Sequence, residues 1–461
     1  MIIRYTGDES DIAFNSVCLK GGQDMEILKF DLTKKAGKFK NLNATNGGPI
    51  YKRHTGDQYR SNFETYKAAR IPYQRNHDAN ACSIYGGPYA HDITAVFPNF
   101  DADENSADSY DFECTDEAIL TALEAGTKTF FRLGQTIEHQ IKKHGTLPPK
   151  DFAKWARICE HIIRHYNEGW ANGFQLDIEY WEIWNEPDLR ADDAEHKTTW
   201  GGTQAQFFDF YEVAAKHLKK CFPKLKIGGP SLATLTVEWA DDFLREMQKR
   251  SVPIDFLSWH IYCTKPSDMI GLADKLQSFL DKYGYGNAES ILTEWNYIAD
   301  WGAEYVKSIK DLNSIKGAVF TAACMTAAQH SPIDMLMYYD TRPSIFNGVF
   351  DFYSLEPKKV YYPLMWYGKF YDMTAEILCE SKCEDIYTLC GTDKDEKALA
   401  LITYYTDEKN MPEKQVKVDF GRNGEYEVYL LDETHDGELS EKTNDLSFTM
   451  NANSCILIKE I

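Results

Sequence analysis

Two glutamates in this chain sit where a reaction would use them. Glu186 lies in the run YWEIWNEPD (180–188) and Glu294 in ILTEWN (291–296). Each follows an apolar, β-prone stretch and is flanked by Asn or Trp, so each reads as a carboxylate at the end of a strand. Pro187 offers no N–H to a ladder and helps stop the strand just after Glu186. Two carboxylates in unlike surroundings can divide acid–base work, one staying protonated to donate, the other ionised to attack or to polarise water. Cleavage of a glycosidic bond needs that division. A lone glutamate usually does no more than pair with an Arg or Lys. The second one, at a matching strand end some three repeat lengths further on, turns the reading toward catalysis.

The elements that must hold this pair form a repeating pattern. Candidate strands run at Asn41–Gly47, QRNHD (74–78), TFFRLG (129–134), IEYWEIWNEP (178–187), LKIGGP (225–230), IDFLSWHIY (254–262), ILTEWN (291–296) and MLMYYD (335–340). Helical patterns lie between them. Phe152, Trp155, Ala156, Cys159, Ile162, Ile163 and Tyr166 share one helical face, and Thr203 with Gln206 forms a capping box ahead of Phe207, Tyr211, Ala214, Ala215 and Leu218. Eight βα units in ~330 residues predict a (β/α)8 TIM barrel, with the two glutamates on barrel strands four and seven. No GxGxxG follows an early strand, so a dinucleotide fold has no support.

Beyond about residue 375 the period changes to two. Val416, Val418 and Phe420, then Tyr426, Val428 and Leu430, then Leu446, Phe448 and Met450 alternate with polar residues, and CILI closes the chain at 455–458. This predicts an accessory antiparallel β-sandwich, to which MEILKFDL (25–32) could add a strand. The division expected is 1–38 for N-terminal strands joining the sandwich, 39–374 for the barrel and 375–461 for the sandwich.

Composition narrows the classes. A net charge of −21 disfavours nucleic acid, whose affinity depends on basic side chains, and less strongly disfavours anionic membranes. An aromatic share of 14% suits either core packing or sugar stacking. The 11 cysteines are odd in number and scattered, as in a reducing compartment. Cys379, Cys383 and Cys390 lack the paired spacing of a zinc site, and Asp101, Asp103 and Asn105 lack the Gly and Glu that would complete a calcium loop. No metal and no cofactor is expected. MIIRYTGDESDIAF contains no apolar stretch of signal-peptide length, which makes the cytoplasm the default location.

At the two glutamate motifs the chain resembles a known family. YWEIWNEPD is similar to the acid/base motif of glycoside hydrolase clan A, and ILTEWN to the nucleophile motif of glycoside hydrolase family 39. RNHDA (75–79), IGGP (227–230) and SWHIY (258–262) follow in the order expected of that family, which includes β-xylosidases and α-L-iduronidases. The resemblance covers roughly residues 45–370. It implies a retaining glycoside hydrolase on a barrel with an accessory β-sandwich, with Glu186 as acid/base, Glu294 as nucleophile and Asn185 hydrogen-bonding the sugar 2-hydroxyl. His260 and Tyr262, on the sixth barrel strand, would support the nucleophile. Arg75 and His77, on the second, would bind sugar hydroxyls or keep Glu294 ionised; Arg75 as a barrel-floor ion pair and His77 as a core histidine are the plainer readings. Trp295 and Tyr338 are candidates to line the substrate site, as is Trp301, while Trp184 reads as core. Gln135, Glu138 and His139 either border the cleft or cap a helix.

The expected substrate is a glycoside or oligosaccharide, first of all a β-xyloside. β-Galactosides and arabinosides remain open, and an iduronidase-like role would require a cationic contact for the uronate. A carbohydrate-binding protein without turnover is the rival from another class; the intact pair of glutamates argues against it. An oxidoreductase barrel would require a flavin or nicotinamide site.

Overall fold

The computed structural model describes residues 25–50, 61–77, 90–344, 346–381 and 383–461. Readings that concerned residues 1–24 and Asp78–Ala79 therefore lie outside the described residues. After strand β1 (Glu26–Lys35), eight parallel strands close into a barrel: β2 (Asn41–Asn46), β3 (Tyr73–Arg75), β4 (Lys128–Leu133), β5 (Tyr180–Ile183), β6 (Lys226–Leu232), β7 (Phe256–Cys263), β8 (Glu289–Tyr297) and β9 (Ile333–Tyr338). The expected TIM barrel is present.

Side-chain alternation divides each strand between two environments. Ala44, Tyr73, Phe130, Tyr180, Phe256, Ile291, Met335 and Met337 form an apolar plug of their own inside the barrel. The rings of Phe130, Tyr180 and Phe256 lie 5.2–5.8 Å apart, centroid to centroid. Gly228 makes room for this floor, since a Cβ there would stand 2.3 Å from the Phe256 carbonyl oxygen and 2.6 Å from its ring. The opposite faces of the strands join the larger core against the helices. The helix Phe152–Glu168 buries the predicted stripe, and the helix Gln204–Cys221 starts with the predicted Thr203–Gln206 capping box.

The accessory sheet comprises β1 with β10 (Ala375–Cys379), β11 (Ile386–Thr392), β12 (Ala398–Tyr404), β13 (Lys414–Asp419), β14 (Tyr426–Leu431), β15 (Asp436–Thr443), β16 (Ser447–Met450) and β17 (Ser454–Glu460). Its order is β15-β14-β17-β12-β11-β10-β1-β13-β16. Strand β1 pairs antiparallel with β10 and parallel with β13, so the N-terminal strand joins the sandwich built by the C-terminal segment. β12 and β17 are buried on both faces. Ala400, Ile402, Ile456 and Ile458 enter the sandwich core, whereas Leu399, Leu401, Cys455 and Leu457 belong to the barrel-side core. The helix Ile315–Ala328 lies between barrel and sheet and is accordingly buried almost all round. No helix among the described residues is long and apolar enough to cross a membrane.

Candidate active site

Above the apolar floor the barrel interior turns polar, with Arg75 at its centre. The side chain is fully buried, and all five of its N–H donors are used. Nε donates to Glu182 Oε2 at 2.7 Å, Nη1 to Glu294 Oε1 at 2.7 Å and Asn46 Oδ1 at 3.1 Å, and Nη2 to Asn185 Oδ1 at 2.7 Å and Ser231 Oγ at 2.9 Å. Burial alone would pull its pKa down, but Glu182 and Glu294 more than offset that, and the guanidinium stays charged. Arg75 is thus a buried ion-pair residue that bridges Glu182 and Glu294.

Glu294 reaches this position because β8 bulges. Trp259 is opposite Leu292 and His260 opposite Glu294, and on the other side Leu292 pairs with Leu336 but Trp295 with Tyr338. Thr293 and Glu294 thus take up one extra residue, which re-aims the following side chains. Thr293 Oγ1 faces Ser231 Oγ across the interior at 3.1 Å, and Glu294 still points into the mouth. Its Oε2 accepts from the Tyr262 hydroxyl at 3.1 Å, and His77 Nε2 stands 3.4 Å from Oε1.

Glu186 is presented by a different device. Regular pairing of β5 ends at Ile183, and Trp184 and Glu186 take positive φ of 76° and 48°. Trp184 turns outward, its indole N–H donating to the Thr199 carbonyl. Glu186 turns in, with its own N–H donating to the Ser231 carbonyl at 2.8 Å. Its Oε1 is 2.8 Å from Nδ1 of His260, whose Nε2 is 2.6 Å from Ser231 Oγ. Burial pushes His260 down to about 4, against the pull of Glu294, so the ring is neutral at ordinary pH. Burial and the charges of Arg75 and Arg132 hold His77 well below its usual value too. One ligand atom from each of Glu186, His260 and Glu294 lies within 4.8 Å of the others. A cation in that space would meet the Arg75 guanidinium on the same carboxylate.

Asn185 has one fixed orientation. Arginine only donates, so the amide oxygen must face Arg75, which turns Nδ2 away from it. That nitrogen is buried and has no hydrogen-bond partner among the described residues. A buried donor of this kind costs free energy until an acceptor arrives.

The structure thus brings Arg75, His77, Asn185, Glu186, His260, Tyr262 and Glu294 together. It does not bring Trp295 and Tyr338 to the mouth, which corrects the expectation for both. Trp295, just past the bulge, and Tyr338, by regular alternation on β9, both face outward and stack edge-to-face at 5.5 Å, and Trp295 packs toward Phe320 of the helix Ile315–Ala328. Trp295 is 0% exposed and has no surface for a ligand. Trp301 is 56% exposed and stands edge-on to Tyr262 at 5.1 Å, so it presents an aromatic ring to solvent beside that residue. Glu138 accepts from the backbone N–H groups of His144, Gly145 and Thr146 and closes its own loop instead of capping a helix.

Several participants were not singled out from the sequence. Asn46, Glu182 and Ser231 complete the Arg75 network. Asp188 accepts from the N–H groups of Ala233 and Thr234, and burial together with the nearby Glu186 pushes its pKa up to about 7. Asn46 at the end of the first barrel strand and Asp188 just past Pro187 carried a positional signal; Ser231 carried none.

Fold and mouth together define a (β/α)8-barrel protein with an attached β-sandwich and a site of paired carboxylates. Within that class, residues 46–337 match the family model of glycosyl hydrolases family 39, and the chain belongs to that family. A β-xylosidase of Geobacillus stearothermophilus is 29% identical over 195 residues, 40% of this chain and 36% of that protein. A β-xylosidase of Caldicellulosiruptor saccharolyticus is 32% identical over 166 residues, 34% of this chain and 32% of that protein. The matched part spans only about a third of those relatives. Among solved structures, a glucosidase from Croceicoccus marinus shares the fold with a TM-score of 0.78 at 21% identity, covering 95% of this chain and 99% of that one. A monomeric β-xylosidase from Caulobacter crescentus CB15 does so with 0.67 at 15% identity, covering 94% and 99%.

Proposed function

We propose that this protein is a retaining glycoside hydrolase acting on β-xylosides, with Glu294 as nucleophile, Glu186 as general acid and base, and residues 39–374 as the catalytic unit. The observation that carries the reading is the asymmetry of the two carboxylates. Glu294 is gripped by a buried guanidinium at 2.7 Å, which favours the ionised form an attacking group must have. Glu186 instead contacts an imidazole that is neutral at ordinary pH, which gives its ionised form none of the charge stabilisation that Arg75 gives Glu294. Their approach within 4.8 Å supports retention, for which about 5–5.5 Å between carboxyls is usual against 6.5 Å or more for inversion.

In this mechanism Glu294 attacks the anomeric carbon as Glu186 protonates the departing oxygen. A covalent glycosyl-enzyme forms, and Glu186 then takes a proton from the water that releases the sugar. Ser231 accepts from Arg75, so its own hydrogen is free to go to His260 Nε2; the ring N–H then sits on Nδ1 and donates to Glu186 Oε1. The β-xylosidases among the relatives support the choice of sugar.

The test is a panel of nitrophenyl xyloside, galactoside, arabinoside and glucoside, assayed with wild type and Glu294→Gln. Release of nitrophenol from the xyloside by wild type alone, with β-xylose as the first product by NMR, is expected. Near-wild-type turnover by folded Glu294→Gln would overturn the nucleophile, and α-xylose as first product would overturn retention. Preference for another sugar would correct the substrate. Binding of oligosaccharide without release from any substrate would favour a carbohydrate-binding protein.

A further inference from the structure

On the outer surface of the barrel, two neighbouring helices bring together three side chains of metal-binding type. Glu160 lies midway along the helix Phe152–Glu168, and His217 and Cys221 lie one turn apart near the end of the helix Gln204–Cys221. His217 Nε2 is 2.7 Å from Glu160 Oε2 and 3.8 Å from Cys221 Sγ, and all three ligand atoms lie within 4.8 Å of one another. We propose that Glu160, His217 and Cys221 bind a zinc-type divalent cation that clips together the two helices flanking β5.

The donor set of one thiolate, one imidazole and one carboxylate suits zinc, which takes S, N and O ligands tetrahedrally. At metal–ligand distances of 2.0–2.3 Å, tetrahedral ligand atoms stand roughly 3.3–3.7 Å apart. The sulfur–nitrogen spacing is already near that value, and the nitrogen–oxygen contact opens by only about 0.6 Å on the same scale. Residues i and i+4 of a helix point the same way, so His217 and Cys221 form a natural clamp. Arg164 donates from Nε and Nη2 to Glu160 Oε1, at 2.9 and 2.8 Å, which leaves Oε2 turned toward the other ligands. Supporting bonds of this kind orient ligands at metal sites. Arg164 also pairs with Glu168, so its charge is shared away from the site. All three ligands are partly exposed, giving an ion a way in and a water the fourth position. On binding, the Cys221 S–H bond is replaced by a sulfur–metal bond and the proton passes to solvent. The site is far from the mouth, because the helix that follows β5 runs from the mouth toward the barrel floor and His217 and Cys221 lie in its last turns. The ion would hold structure rather than touch substrate.

Cobalt titration of the full chain tests this, Co²⁺ standing in for Zn²⁺ because its thiolate complexes absorb. One equivalent is expected to give a sulfur-to-cobalt charge-transfer band that Zn²⁺ abolishes, and Zn²⁺ is expected to raise the Tm. Cys221→Ser should lose the band, and His217→Ala should weaken binding by no less than the roughly 10- to 100-fold that loss of a supporting hydrogen bond costs. Cys383→Ser, on the accessory sheet, should change nothing. With folding of each variant checked by circular dichroism, absence of the band in wild type, its survival in Cys221→Ser, or unchanged affinity in His217→Ala would overturn the site.

Discussion

Asn185 shows how much one side chain can encode once its neighbours are known. Its amide oxygen is taken by Arg75, and its buried nitrogen waits for an acceptor. A sugar 2-hydroxyl beside Glu294 would provide one, and that bond would tighten as charge develops at the anomeric carbon. Asn185→Ala should therefore reduce kcat/KM on a nitrophenyl xyloside by roughly 10- to 100-fold, the equivalent of losing about 1.5–3 kcal/mol of hydrogen bonding. On the matching 2-deoxy substrate, wild type and variant should react alike. A loss of equal size on both substrates would assign Asn185 a purely structural part. At this scale the sequence was readable where a motif carried the residue, as for Glu186, Glu294 and Asn185. It was not readable for Ser231, which earns its place only by touching Arg75, His260 and Thr293 at once.

The elements were legible because period and punctuation survive in a single sequence. All eight barrel strands lie where the apolar runs predicted them, and Thr203 with Gln206 begins a helix as their spacing requires. Facing was harder to read. One bulge at Thr293–Glu294 reverses the parity of β8 after it, and so Trp295 turns to the helices, while Tyr338 on β9 faces the same way by plain alternation with the inward Met335 and Met337. Nothing in ILTEWN announces that extra residue. The GGP of β6 is a comparable device. Gly229 has φ 134°, and a Cβ there would lie 2.7 Å from the Ile183 carbonyl oxygen on the strand that leads to Glu186. Gly229→Ala should cost about 1–3 kcal/mol of stability and lower kcat by shifting Ser231, two residues on. Gly37→Ala, where a Cβ meets nothing within 4 Å, is the control and should match wild type in both. Equal Tm and kcat for the two variants would mean that the β5–β6 contact tolerates the extra atom.

For the whole molecule, pH dependence follows from what the barrel buries. Burial pushes His260 down to about 4 and His91 down to about 3, and holds His77 well below its usual value. In the unfolded chain each titrates near 6.5. Between about pH 4 and 6.5 the unfolded state therefore binds protons that the folded state refuses. The stability they leave intact above that window is lost as pH falls through it, on the order of 3 kcal/mol for His260 alone. Asp188 acts in the opposite sense. Burial pushes it up to about 7, so the folded state keeps a proton that the unfolded chain has released, and stability falls as pH rises from about 4 toward 7. Three histidines against one aspartate contribute a net uptake of about two protons on unfolding, up to roughly 2.7 kcal/mol per pH unit near pH 5 from these four groups. Urea unfolding between pH 4.5 and 6.5 should show stability rising with pH. His91→Phe, away from both carboxylates, should flatten it by about one proton, or ~1.4 kcal/mol per unit. An unchanged slope in His91→Phe would mean that His91 takes up its proton in the folded state. Sequence alone could not have set this balance. The order of the strands was written in their spacing, but which histidines end up dry depends on a floor of aromatic rings and a polar layer that exist only once the barrel has closed.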